Sequence, residues 1–276
     1  MTTTAELLGG AKITYDREGW CEYPLPFDAA TVALLKQSVE RISREARPEV
    51  VHEKGSGAVR AVHGCHTFDS VCARFTRLPR LVDLAQTLVG APVYVYQFKV
   101  NLKQPYEGAA WPWHQDFTFW TVEDGMPAPD AVNITICLDN AHAENGPLVV
   151  IPGSHRHGLI DAPTGGATGD WRSHVSTDLA YTVSDDQAGR LLREYGSRTL
   201  LGPAGTVYAF HPSIVHSSSN NRSPDRRALM LITYNAVHNA PPHPTRPEFL
   251  VDRNTAAIER ADSDSLTLPA RETALR

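Results

Sequence analysis

From residue 28 to 46, "DAATVALLKQSVERISREA" places Val32, Leu35, Val39 and Ile42 at helical spacing behind Asp28, a residue type suited to cap a helix start. The spacing predicts an amphipathic helix. A second helix is predicted over "LPRLVDLAQTLVG", with Pro79 in the first turn and Gly90 just past the end. Beyond it the apolar period shortens to two. "PVYVYQFKVNLK", "AVNITICL", "PLVVIPG", "GTVYAF" and "RALMLITYNAV" are β-branched and aromatic runs, separated by turn formers such as "ENGP" and "PGSH". Residues 158–184 are polar and glycine-rich without periodicity and read as a long loop, and "DDQAGRLLREYG" after it reads as a short helix. The pattern predicts one mainly β domain over 1–276. It has a helical part over 1–91, a double-sheet barrel or jelly-roll core over 92–240, and a polar tail over 241–276 that wraps the surface.

Composition narrows the class of function. With 42% hydrophobic and 21% charged residues over 276 positions, the chain can bury a large core. The net charge of −5 is scattered, with no basic run to follow a phosphate backbone, so no nucleic-acid partner is expected. Cys21, Cys65, Cys72 and Cys137 include no Cys-x-x-Cys pair and are too few for a disulfide framework. No signal-peptide pattern opens the chain, and no apolar run approaches a membrane span. A reduced cytoplasm and no membrane partner are the expectation.

Candidate chemistry centres on "WPWHQDFTFWTVEDGMP", residues 111–127, where His114 and Asp116 sit among tryptophans and phenylalanines. A His-x-Asp/Glu match alone is weak: twelve histidines and 31 acidic residues give roughly one by chance. The chain has two. His142 and Glu144 lie in "DNAHAENGP", a stretch of turn formers that reads as a solvated loop. His114 and Asp116 end a strand-like stretch, where positions i and i+2 share a face. Two readings stand for them: a buried hydrogen-bonded pair, or two ligands of one ion. A third ligand would decide, because non-heme Fe(II) oxygenases hold iron with two histidines and one carboxylate. His216, after the strand "GTVYAF", is the candidate. Arg227 opens the next strand and could grip the distal carboxylate of a 2-oxo acid through two parallel hydrogen bonds.

These residues carry a family resemblance. "VYVYQFKVN", "WHQDFTFWTVEDGMP", "NGPLVVIPGSH", "HSSSN", "RALMLITYN" and "RPEFL" resemble, in order over more than half of the chain, the phytanoyl-CoA dioxygenase superfamily of Fe(II)- and 2-oxoglutarate-dependent oxygenases, most closely its ectoine hydroxylase branch. The resemblance implies a double-stranded β-helix fold, with His114, Asp116 and His216 as iron ligands. It implies that Arg227 and Ser218 hold 2-oxoglutarate and that Gln97 and Asn101 line the co-substrate and substrate pocket. Trp120 and Phe210 would be aromatic walls. Cofactor and co-substrates would be Fe(II), 2-oxoglutarate and O2. The carboxylate at 116 fills the place that chloride takes in halogenating relatives, which implies hydroxylation.

Departures from the branch bear on the substrate. Ectoine hydroxylases read "WHSDFETWH" here, whereas this chain has Gln115, Thr118, Phe119 and Thr121 in place of Ser, Glu, Thr and His. Phe119 is bulkier and less polar than the threonine it replaces, beside the substrate. The expectation is hydroxylation of an unactivated C–H of another small free amino acid or similar metabolite, releasing succinate and CO2. The alternatives are ectoine 5-hydroxylation itself, a thioester-acting enzyme, and a jelly-roll binder without turnover. A homodimer is compatible with all of these. His155 and His157 in "PGSHRHG" are expected to hydrogen-bond in a turn rather than bind metal, and His211 and Trp171 to be structural. The loop over 158–184 would be a lid.

Overall fold

A computed structural model describes residues 2–161 and 169–266. Six helices span Thr4–Glu18 (α1), Ala29–Ile42 (α2), Ser70–Thr76 (α3), Pro79–Val89 (α4), Asp116–Asp124 (α5) and Asp185–Tyr195 (α6). Eleven strands span Trp20–Tyr23 (β1), Val50–His52 (β2), Val59–His63 (β3), Val93–Lys103 (β4), Trp111–His114 (β5), Ala131–Cys137 (β6), Leu148–Val150 (β7), Arg198–Leu200 (β8), Val207–Phe210 (β9), His216–Ser218 (β10) and Arg227–Ala236 (β11). Asp28 caps α2 by accepting from the Thr31 amide at 2.7 Å, Pro79 opens α4, and Gly90 ends it in the left-handed conformation (φ 80°). Both predicted starts hold, as does the stop at Gly90, whereas α2 ends at Ile42, short of the predicted residue 46.

All strand pairs are antiparallel. A seven-stranded sheet runs β1-β9-β6-β11-β4-β3-β2, and a four-stranded sheet runs β5-β10-β7-β8. Two facing antiparallel sheets of this kind form the double-stranded β-helix that the resemblance implied, flanked by helices. The outer face of the large sheet is apolar. Val132, Ile134 and Ile136 of β6 and Met230, Ile232 and Tyr234 of β11 bury against Leu81, Leu84 and Leu88 of α4 and Leu35, Val39 and Ile42 of α2. Cutting any of these leucines to alanine costs about 2–5 kcal/mol.

Several expectations are corrected. The 1–91 part is not purely helical, because β1, β2 and β3 extend the large sheet on both edges. These are three- to five-residue strands, too short for a period-2 signal to stand out. The tail does more than wrap the surface. Leu250 and Val251 are fully buried, the Asp252 and Ile258 amides donate to the Tyr96 and Val93 carbonyls at 2.9 and 2.8 Å, and Arg74 pairs with Asp262. A polar average hides a few inward residues.

Strand β4 has one more departure. Opposite β11 its register slips between Gln97 and Val95, so Tyr96 is an extra residue. The bulge lets Val93 and Val95 join the helix-side core, and then Phe98, Val100 and Leu102 as well, across a change of parity. It thereby turns Gln97, Lys99, Asn101 and Lys103 inward together, between the two sheets.

Candidate metal centre and its cavity

The inner face of β4 meets β5, β10 and the start of α5. His114 ends β5, Gln115 occupies the helix cap position, and Asp116 is the first residue of α5. The i, i+2 convergence therefore comes from a strand-to-helix turn, not from one strand face. β10 pairs with β5 so that His216 lies directly across from His114, their rings 4.1 Å apart between centroids. One ligand atom from each of His114, Asp116 and His216 lies within 4.8 Å of the other two.

Each ring is oriented by its own turn. His114 Nδ1 contacts the Pro112 carbonyl at 2.7 Å, and His216 Nδ1 contacts the Ile214 carbonyl at 3.0 Å. Those bonds direct both Nε2 atoms at Asp116, at 3.8 and 3.9 Å. Burial holds both imidazoles neutral: it drives His114 down to about 3, helped by His216, and lowers His216. Burial would raise Asp116, but Lys99 and the two histidines outweigh it and bring the carboxyl to about 2. Two neutral imidazoles and one ionised carboxylate on one side of a point are the donor set that fits a divalent iron ion.

A relay supports the carboxylate. Asn133 on β6 donates to Asp116 Oδ2 at 2.9 Å, and Thr233 on β11 donates to Asn133 Oδ1 at 2.7 Å. Lys99 Nζ lies 3.5 Å from Oδ1. Phe210 packs 5.0 Å from the His216 ring, in the apolar cluster with Ile214 and Leu231. Phe210, which the resemblance makes an aromatic wall, thus stands against one of the three metal-site side chains. Gln115, the departure next to His114, points away from the centre. Its amide donates to the Gly158 and Ser213 carbonyls at 2.8 and 2.6 Å and accepts from Ile160.

The cavity beside the three ligands is lined by Gln97, Asn101, Phe119, Trp120, Ser218 and Arg227, all named from the sequence. At one end Arg227 is fixed by two donations to the Gly146 carbonyl, at 3.0 and 2.5 Å. Burial lowers it to about 10, so it stays charged at neutral pH. Lys103, its partner across β4 and β11, is buried and donates to the Ser219 carbonyl. Burial, then Arg227 and Arg60, lowers Lys103 to about 6.

The other end carries residues that the sequence reading did not single out: His63, Lys99, His174 and Arg246. Arg246 donates to Asp124 Oδ2 at 2.6 Å and to the Tyr96 hydroxyl at 3.1 Å. Phe119 stands edge-on to His114, His174 and Tyr181, and Tyr181 donates to Glu123. His174, Val175 and Leu179 of the long loop cover this end, held by Arg60, which donates to the Val175 carbonyl at 3.1 Å and pairs with Glu53 at 3.0 Å. Part of the expected lid, residues 162–168, lies outside the described residues. His155 contacts the Asp16 carbonyl and His157 the Tyr195 hydroxyl, as expected of turn residues.

A double-stranded β-helix with this triad defines a non-heme iron oxygenase. Residues 15–229 match the family described as phytanoyl-CoA dioxygenase (PhyH). The chain is 58% identical to the L-proline trans-4-hydroxylase of Streptomyces griseoviridis, over 96% of this chain and 100% of that protein. It is 35% identical to the ectoine dioxygenase of Bordetella parapertussis, over 94% and 86%. The crystal structure of EctD from S. alaskensis with 2-oxoglutarate and 5-hydroxyectoine superimposes with a TM-score of 0.80 at 28% identity, covering 96% of this chain and 89% of that one. The chain belongs to the phytanoyl-CoA dioxygenase family of Fe(II)- and 2-oxoglutarate-dependent oxygenases. It is an enzyme, and the reading as a binder without turnover falls away. Among the described residues no helix is long and apolar enough to cross a membrane.

Proposed function

We propose that this chain hydroxylates free L-proline at C4, on the trans face. The observation that carries the reading is the 58% identity, end to end, with an L-proline trans-4-hydroxylase. Phe119 agrees with it, since a phenyl edge in place of a threonine hydroxyl suits a small ring with little polarity on that side.

The residues divide the work as follows. His114, Asp116 and His216 hold Fe(II), and Asn133 and Thr233 fix the carboxylate. When bound, the iron with 2-oxoglutarate and O2 supplies the oxidising chemistry that places one oxygen atom in a C–H bond, releasing succinate and CO2. Arg227 and Ser218 anchor the distal carboxylate of 2-oxoglutarate, with Asn101 beside them and Lys103 paired opposite Arg227; the Asn101 amide oxygen has no partner among the described residues. Lys99 and Arg246 face the substrate carboxylate. Trp120, edge-on to Tyr96 at 5.2 Å, and Phe119 keep the reacting carbon in apolar surroundings and exclude water.

The test is incubation with Fe(II), 2-oxoglutarate and a panel of L-proline, other free amino acids and ectoine. Mass spectrometry should show L-proline gaining one oxygen, with one succinate per product, and chromatography should identify trans-4-hydroxyproline. Oxygen gain on ectoine with none on proline would replace this reading by ectoine 5-hydroxylation.

A further inference from the structure

His63 closes β3 directly across from Lys99 of β4. Its backbone is occupied: the amide donates to the Glu49 carbonyl, and the carbonyl accepts from the Cys65 thiol. The ring is 2% exposed and lines the cavity. Neither Nδ1 nor Nε2 has a hydrogen-bond partner among the described residues. The nearest ring, Phe249, is 6.5 Å away and tilted. By contrast, the cavity histidines His114, His216 and His174 each hold at least one partner. A buried imidazole with both nitrogens unpaired is costly, and such groups in native proteins call for an occupant.

The surroundings specify that occupant. Burial, and then the charges of Lys99 and Arg246, push His63 down to about 3, so the ring is neutral, with one donor and one acceptor nitrogen. An acceptor between two cations suits a molecule that carries a carboxylate and an N–H side by side. Gln97 stands nearby, its amide nitrogen committed to the Leu250 carbonyl at 3.0 Å and its oxygen available as a second acceptor.

We propose that His63 is a substrate-binding residue that accepts a hydrogen bond from the ring ammonium of the amino acid and makes the site select for that N–H group. The inference rests on the amino-acid reading above and adds the group that recognises the amine.

The experiment compares L-proline with (S)-tetrahydrofuran-2-carboxylate, in which oxygen replaces the ring N–H. Both are titrated calorimetrically into protein loaded with Mn(II) and 2-oxoglutarate, as wild type, His63→Phe and His63→Asn. A hydrogen bond from a charged donor predicts that wild type prefers proline by about tenfold or more. His63→Phe should weaken proline binding by about that factor, leave the oxygen analogue within about twofold and collapse the preference. His63→Asn should recover part of it. The melting temperature and 2-oxoglutarate affinity should stay at wild-type values, which separates recognition from misfolding. Equal loss for both acids would make His63 a packing residue and overturn the inference, as would an unchanged preference in His63→Phe. If wild type bound neither acid, the amino-acid reading would fall first and the His63 role with it.

Discussion

Replacing Asn133 by leucine tests whether the carboxylate ligand is held by a relay. Asn133 is fully buried, with one bond in from Thr233 and one bond out to Asp116. Leucine keeps the branched outline of asparagine but is larger, so overpacking of about 1–3 kcal/mol adds to the lost hydrogen bonds, and the thermal melt reads that part separately from iron affinity. The bond to Asp116 is charge-assisted, and its loss costs about 1.5–3 kcal/mol. At about 1.4 kcal/mol per factor of ten, that is about a 10- to 100-fold loss of iron affinity, the range found for outer partners of metal ligands. Lys99, 3.5 Å from Oδ1, would then compete to turn the carboxylate away from the histidines. The measurement is the Fe(II) concentration giving half-maximal succinate release, beside a thermal melt. Half-activation should rise about 10- to 100-fold, while turnover at saturating iron stays within about threefold. An unchanged half-activation concentration in a variant that melts normally would refute the relay.

Other expected outcomes follow from the co-substrate end. Arg227→Lys keeps a charge but loses the planar fork on the Gly146 carbonyl, so KM for 2-oxoglutarate should rise about 10- to 100-fold in a succinate assay. Gly146→Ala forces a side chain onto a φ of 74° and into Lys103 and the Ser219 carbonyl; unfolding should become easier by about 1–3 kcal/mol in a denaturant melt, with a higher KM for 2-oxoglutarate. Lys103, lowered to about 6, is neutral at pH 7.5, and an arriving carboxylate favours its charged form. Binding of 2-oxoglutarate to the Mn(II)-loaded protein should therefore take up to about one proton at pH 7.5, and less as pH falls through 6. Calorimetry in buffers of different ionisation enthalpy measures that uptake, and Lys103→Met should abolish it.

How much was legible depended on whether a signal was local. Asp28, Pro79 and Gly90 mark helix ends by backbone chemistry that acts within one turn, so those boundaries could be read directly. His114, Asp116 and His216 were legible because the motif block and the later strand carry them together. The helix beginning at Asp116 was not, since its sequence "DFTFWTVED" is aromatic and nearly all buried, with no apolar stripe. Lys99 and Lys103 did carry a signal: they alternate with Gln97 and Asn101 in "QFKVNLK", so a face that included Gln97 and Asn101 had to include both lysines. Simple alternation missed the bulge at Tyr96 on which that face depends. His63 and Arg246 belong to a five-residue strand and a polar tail, and only tertiary pairing brings them to the cavity.

The charges along the cavity differ between its two ends in a way that suits the two proposed occupants. Near His63, each cation has a carboxylate close by: Arg246 has Asp124, and Lys99 has Asp116. Arg60, which holds the covering loop, has Glu53. An amino acid arriving there, with one positive and one negative group, leaves that balance unchanged. At the other end Arg227 and Lys103 hold only backbone carbonyls, and nearby Asp139 is committed to Arg226 and Lys36. A buried guanidinium beside a buried amine, with no ion pair to either among the described residues, depresses Lys103. A dicarboxylate relieves that deficit and a zwitterion cannot. On the proposed reading, charge alone would sort the co-substrate to Arg227 and the substrate to the His63 end, before any contact with the metal distinguishes them.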